Sequence, residues 1–329
     1  MSMRAVVVHK PGGPEVLRLE EVPDPEPKQD HELVTVKYAG VNFADVRMRE
    51  DNYVAPVTFP FTPGRELVGT TEDGRRIAAL TDSGAYADKA LVQRGLAWEI
   101  PDEISDEQAC ALLLAGQSAW HLLHTTLAIQ EGETVLIPAA AGGLGSIAVQ
   151  LAKRHGAKVI AMARGPIAVA MARDYGPDAV LDTSNTDNLA ERIMDAAGGR
   201  IDAALEMMGG TMFAATVEAL APRGRVALFG CTPGNRIPQG SLIYGSKTIS
   251  GFWLPDYYSN RYALRNSMNA LFSITAIGAL KTPNTYTFPM QSESFVQDAH
   301  DAITRGTPGK ILLEPAGFYN AAEVWGWHG

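Results

Sequence analysis

Residues 133–163 read ETVLIPAAAGGLGSIAVQLAKRHGAKVIAMA. An apolar strand ends in a glycine-rich turn, a helix follows, and a second strand comes after it. Gly142, Gly143 and Gly145 stand where the chain must turn sharply and pass close to a ligand. The first turn of the following helix presents N–H groups and the positive end of its dipole, an arrangement that holds a pyrophosphate. The turn has the form AxxGxxG through Ala139, Gly142 and Gly145, not strict GxGxxG. Ala141, Gly142, Gly143, Leu144 and Gly145 are therefore the expected coenzyme-binding turn, and a purely structural glycine turn is the alternative.

The same alternation continues downstream. The pattern predicts strands at 134–138, 157–162, 179–181, 201–205 and 224–229, with helices at 145–154, 166–174, 187–196 and 211–220 between them. This is the pattern of a doubly wound parallel sheet. Before it, the first ~115 residues are rich in short strands and turns, which suggests a compact, mostly β domain. Residues 42–53 offer a short helix, and 104–127 reads as one long helix with an acidic start. From about 265 the character is mixed again, and GKILLEP near the end reads as a strand that rejoins the first domain. At 329 residues, 46% of them hydrophobic, the chain is long enough for two domains. The cleft between them is the expected substrate site.

Charge and cysteine usage narrow the partners. A formal net charge of −9 argues against a nucleic-acid partner. Cys110 and Cys231 lie far apart and form no metal-ligand pair. The apolar runs are short and interrupted, so no membrane partner is expected and the cytoplasm is the expected location. At the end of the second parallel strand, AMARGP offers Arg164 and no acid. A guanidinium matches phosphate geometry, so Arg164 is the candidate for an adenosine 2′-phosphate, which favours NADPH. An exposed solubilising arginine is the other reading. The strand ending in ALFG places Phe229 and Gly230 toward the nicotinamide end, with Cys231 beyond.

The chain resembles the medium-chain dehydrogenase/reductase superfamily and, within it, the zinc-free quinone oxidoreductase branch. The resemblance rests on GGPEVLRLEEVPDPEP (12–27), YAGVNFADVRMREDNY (38–53), PGRELVG (63–69) and the stretch 132–161. Residues 206–230 and PGKILLEP (308–315) extend it almost end to end. It implies an α/β protein of two domains. Residues 1–118 and 263–329 would form a GroES-like, mostly β catalytic domain, and 119–262 an inserted Rossmann-type doubly wound parallel sheet.

In zinc-containing relatives a Cys and a His-Glu pair hold the catalytic metal; here Asn42 and Arg65 match the Cys and the His, beside Glu66. An amide and a permanent cation do not hold zinc in the usual way, so no metal is expected. An ion pair of Arg65 with Glu66 or another acid is expected instead. The resemblance places Asn42, Asp45 and Tyr53 in the catalytic cleft. Asn42 would donate to a carbonyl or ribose, Asp45 would orient a neighbour, and Tyr53 would donate a hydrogen bond or proton to reduced acceptor oxygen. The ordinary alternatives are a helix cap, an exposed first-turn acid and a loop tyrosine. Gln117 would bind the coenzyme or fill a gap, and Lys310 would lie near the coenzyme phosphates or the cleft rim or carry no role, while Lys247, Phe252 and Trp253 resemble a substrate-channel segment, with core packing or a dimer contact as the other reading of the aromatics.

Two departures stand out: a short connection between GREL and GRRIAAL, and Ala168 where relatives carry a lysine that helps bind the 2′-phosphate. The implied activity is NADPH-dependent reduction of a quinone or activated alkene by a homodimer. Reduction of an enoyl thioester or α,β-unsaturated ketone is one rival. A coenzyme-binding regulatory or structural protein is another. The aromatic tail 316–329 would cover an edge or an oligomer contact.

Overall fold

The computed structural model describes residues 2–230 and 239–315. Cys231 and the aromatic tail 316–329 lie outside the described residues. The chain divides into two units, with boundaries at Leu114/Ala115 and Pro283/Asn284.

The first unit begins with β1 (Ser2–Val8) and β2 (Leu17–Pro23), which form an antiparallel pair. Then come β3 (His31–Val41), α1 (Phe43–Arg49), β4 (Glu66–Thr71), β5 (Arg76–Leu80), β6 (Lys89–Gln93), β7 (Ala97–Glu99) and α2 (Asp106–Leu112). The helical pattern read over 104–127 is broken. Leu113 leaves the helical region with ψ −91°, α3 (Leu114–His121) restarts the helix, and residues Leu122–Thr126 form a π-helical turn. At the break, the Leu114 N–H is donated to Glu66 Oε2 at 2.7 Å. A long-range carboxylate thus takes a hydrogen bond that local periodicity would have assigned to the helix.

The second unit carries β8 (Thr134–Ile137), α4 (Gly143–Arg154), β9 (Lys158–Ala163), α5 (Pro166–Arg173), β10 (Ala179–Asp182) and α6 (Leu189–Ala197). It continues through β11 (Ile201–Glu206), α7 (Gly210–Ala219), β12 (Leu220–Leu228), α8 (Gln239–Ile243), β13 (Thr248–Gly251) and α9 (Arg261–Ala276). Its six strands run parallel in the order β10-β9-β8-β11-β12-β13. That order reverses between β8 and β11, the switch point at whose carboxyl ends such sheets bind ligands. Leu136, Ile160, Met162, Ile193, Leu205 and Val226 are fully buried in or against the sheet. Near-continuous apolar strands follow from burial on both faces.

The chain then returns to the first unit with β14 (Thr285–Pro289), α10 (Glu293–Arg305) and β15 (Lys310–Glu314). The larger sheet of that unit has the order β14-β15-β3-β4-β5-β7, with β6 also on β3. β15 pairs parallel with β14 and antiparallel with β3, in the register Leu312 opposite Gly40. The boundary expected at 262/263 is displaced because α9 belongs to the second unit. Gln117 Nε2 donates to the Leu264 carbonyl at 2.9 Å, and Ser267 Oγ donates to Gln117 Oε1 at 2.6 Å.

Candidate functional site

In the first unit, three chain segments meet in a buried polar cluster. β3 ends at Val41 and Asn42 opens α1; Glu66 begins β4; Lys310 begins β15. The Lys310 ammonium donates to Glu66 Oε1 at 2.5 Å, Asn42 Oδ1 at 2.7 Å and the Val41 carbonyl at 3.2 Å. Asn42 Nδ2 donates to Glu66 Oε1 at 2.7 Å. Lys310 and Glu66 have side-chain exposures of 4% and 0%. A buried ion pair survives only when its remaining donors and acceptors are satisfied, as they are here. Gly40 makes room for it: a Cβ there would lie 2.6 Å from Glu66 Cδ.

Asp45 sits below this cluster and is fully buried. It accepts from the Asn42 N–H at 2.8 Å, the Tyr86 hydroxyl at 3.1 Å and the Gly64 N–H at 3.3 Å. Burial raises its carboxyl from 3.8 to about 6, against the pull of the Asn42 N–H, Arg65 and Lys310. Burial also pushes the Tyr86 phenol and the Cys110 thiol well above their ordinary values, so neither is an activated nucleophile.

A folded-state pKa above the unfolded one means stability that is complete below pH 3.8 and is lost as pH rises through about 6. A shift of this size corresponds to roughly 3 kcal/mol. Asp45→Asn stays neutral throughout and lacks that loss. Its stability relative to wild type should therefore improve between pH 4 and pH 7. Melting temperatures across that range test this; a pH-independent difference would refute it.

Arg65 is buried, and its Nη1 donates to the Tyr53 hydroxyl at 3.2 Å and approaches Met48 Sδ at 3.8 Å. Its guanidinium carbon lies 5.4 Å from the Tyr53 ring centroid, within cation–π range. The ion pair of Glu66 is with Lys310. Neighbouring residues on an extended segment point to opposite faces, so Arg65 and Glu66 diverge.

Asn42, Asp45 and Tyr53 thus belong to one connected region of the first unit. Asp45 is an interior anchor, not the exposed first-turn acid of the alternative reading. The short side-chain hydrogen bonds of Asn42 go to Glu66 and Lys310, and its Nδ2 lies 3.4 Å from the Gly40 carbonyl. The coenzyme assignment of Lys310 is corrected, because its ammonium is buried against Glu66, Asn42 and Val41. Gln117 matches its gap-filling alternative in geometry: it is fully buried and both amide ends bond to α9. Lys247 donates to the Val217 carbonyl at 2.6 Å, near the C-terminus of α7, where a cation suits the helix dipole. Phe252 packs on Tyr257, with ring centroids 5.5 Å apart.

The second unit supplies the coenzyme turn. Ala139 has φ +46°, Gly142 caps α4, and Ala141 is buried. Gly145 is required sterically, since a Cβ there would lie 2.8 Å from the Ala139 carbonyl carbon and from Ala140 Cα. Gly143 and Leu144 open the first turn of α4, whose N–H groups have no intrahelical partners by construction.

Arg164 is exposed immediately after β9. The turn carrying it is pinned by Asp182 Oδ1, which accepts the Gly165 N–H at 3.0 Å and the Ser184 hydroxyl at 2.7 Å. Phe229 and Gly230 follow β12 beside the end of β11, the Phe229 N–H donating to the Glu206 carbonyl at 3.0 Å. Glu206 was not singled out by its sequence. It is buried at the end of β11 and its Oε1 accepts the N–H groups of Met208 at 2.6 Å and Gly209 at 2.7 Å, shaping the turn into α7. Burial raises its carboxyl, opposed by those two hydrogen bonds.

A glycine turn at the switch point of a doubly wound sheet, in one chain with a β-rich unit, defines a dehydrogenase or reductase of the medium-chain type. Residues 143–272 match the family described as zinc-binding dehydrogenase. The chain is 31% identical to quinone oxidoreductase 1 of Escherichia coli strain K12, covering 93% of this chain and 98% of that protein. Quinone oxidoreductase of Salmonella typhimurium is 30% identical over the same shares. The crystal structure of Escherichia coli quinone oxidoreductase complexed with NADPH superposes with TM-score 0.87 at 29% identity, covering 95% of this chain and all of that one. The chain belongs to the zinc-free quinone oxidoreductase branch of the medium-chain dehydrogenase/reductase superfamily.

The zinc-binding description can be tested against the donors present. Zinc takes thiolate, imidazole or carboxylate ligands. Asn42 offers an amide, Arg65 a guanidinium, and the carboxylate of Glu66 already holds an ammonium. The set does not fit zinc. Among the described residues, no helix is long and apolar enough to cross a membrane.

Proposed function

We propose that this chain is an NADPH-dependent oxidoreductase that reduces a quinone or a related electron-poor acceptor without a metal. One observation carries the reading: the coenzyme turn is sterically intact in a chain whose zinc-ligand positions hold Asn42 and Arg65, beside a Glu66 already paired with Lys310. Bound NADPH supplies a hydride. Residues 141–145 would hold its pyrophosphate, Arg164 its 2′-phosphate, and Phe229 and Gly230 would line the nicotinamide end. On the acceptor side, Asn42 would donate a hydrogen bond and Tyr53 a proton, with Asp45 fixing the start of α1 beneath Asn42. A cytoplasmic homodimer belongs to the same reading, supported by family membership.

The test is oxidation of NADPH and NADH, separately, against quinones, enones and enoyl thioesters after chelation. Rapid NADPH-dependent quinone turnover is expected. Turnover confined to alkenes would move the assignment to an enone or enoyl-thioester reductase, and coenzyme binding with no turnover would indicate a regulatory protein.

Arg164→Ala checks the coenzyme preference. A charge-assisted hydrogen bond to phosphate contributes about 1.5–3 kcal/mol, so NADPH affinity should fall roughly tenfold to a hundredfold while NADH affinity stays unchanged. Equal losses for both coenzymes, in direct titrations, would remove Arg164 from the 2′-phosphate.

A further inference from the structure

The acid that usually meets the NADH ribose stands at the end of the second strand of such a sheet, about 20 residues past the glycine turn. That place is taken here by Arg164 and Gly165. A carboxylate reaches it nonetheless, from the neighbouring strand. β10 runs parallel to β9 with Asp182 opposite Ala163, and the Thr183 N–H donates to the Ala163 carbonyl at 2.9 Å. Asp182 Oδ1 accepts the Gly165 N–H at 3.0 Å, the Ser184 N–H at 2.8 Å and the Ser184 hydroxyl at 2.7 Å. Among the described residues every donor to this carboxylate goes to Oδ1 and none to Oδ2. The Gly165 N–H, followed by the two Ser184 donors, holds the carboxyl below its ordinary value, so it is an anion at neutral pH. Arg192 donates to the Asp182 and Asn185 carbonyls at 2.5 Å and 2.6 Å, not to the carboxylate. The glycine turn touches the same strand end, since the Ala140 N–H donates to the Met162 carbonyl at 2.9 Å. In sheets of this kind the adenosine ribose lies against the corner that Arg164 and Gly165 form here.

We propose that Asp182 is a specificity-determining residue for the coenzyme: its Oδ2 accepts the ribose 2′-hydroxyl of NADH, and its charge opposes the 2′-phosphate of NADPH. This rests on the coenzyme-binding reading above and deepens it. Arg164 and Asp182 act in opposite directions at one ribose position, the guanidinium favouring a phosphate and the carboxylate a hydroxyl. The chain accordingly takes NADPH without shutting out NADH.

Asp182→Asn tests the charge apart from the turn. The amide oxygen can accept the same three hydrogen bonds, so the corner and the melting temperature stay as they are while the anion is gone. In direct fluorescence titrations NADPH affinity should rise roughly tenfold, the effect of removing one charge near a phosphate dianion. NADH affinity should fall roughly threefold to tenfold with the loss of a charged acceptor. Unchanged affinities in the folded variant, or an equal change for both coenzymes, would overturn the proposal and leave Asp182 a turn-former. The wild type should prefer NADPH by less than about a hundredfold, and a larger preference would overturn the proposal even if the variant did not fold. Binding of both coenzymes with reduction of no acceptor would sink the oxidoreductase reading and leave this one standing. Binding of neither coenzyme would end both.

Discussion

Lys310→Met alone destabilises the first unit by about 3–5 kcal/mol, the usual cost of breaking a buried ion pair by removing one partner. Methionine preserves the length and most of the apolar stem, so the loss is that of the charge. Glu66 has no exposed side-chain surface through which water could replace the ammonium. Its remaining donors are Asn42 Nδ2 and the Leu114 N–H. Two neutral donors do not offset a carboxylate stranded away from solvent. The expected readout is a fall in melting temperature on the order of 10 °C. A melting curve superimposable on wild type would show that the pair is not under load.

Gly145→Ala is expected to lower NADPH affinity by roughly a hundredfold or more. The atoms that an added Cβ meets are backbone, the carbonyl carbon of Ala139 and Cα of Ala140, both at 2.8 Å. No flexible side chain can swing aside. The turn must open, which moves the first N–H groups of α4 away from the phosphates they would hold. Fluorescence titration with NADPH is the measurement, and wild-type affinity in Gly145→Ala would mean that this turn does not bind the pyrophosphate.

The coenzyme unit was legible because its signals are local. Strand, glycine turn and helix follow one another within thirty residues, and the alternation that repeats them places five of the six parallel strands within a few residues of where they lie, while β13 carries no such signal. The polar cluster was legible in part. Asn42, Asp45 and Tyr53 are close in sequence and could be suspected together. Their partners are not: Lys310 reaches Glu66 across a separation of 244 residues. A lysine opening a terminal strand reads locally as a surface residue, and only the pairing of β15 with β3 makes it internal. The choice between the two readings of Gln117 is non-local for a similar reason, since its partners lie on α9 and no local pattern announces them. The break at Leu113 is also non-local in origin, because the Leu114 N–H is claimed by Glu66.

The order in which the strands are made has a consequence for biosynthesis. The second unit is one continuous stretch, complete once residue 283 has emerged. The first unit must wait for its last strands, because β15 lies between β14 and β3 and carries the counter-charge of Glu66. During translation the coenzyme unit can therefore close while its older neighbour in the chain still has an open sheet edge and an unneutralised carboxylate. A ribosome that stalls shortly before Lys310 releases a product of mixed quality: one half finished, the other an adhesive edge exposed to proteases and to its own kind.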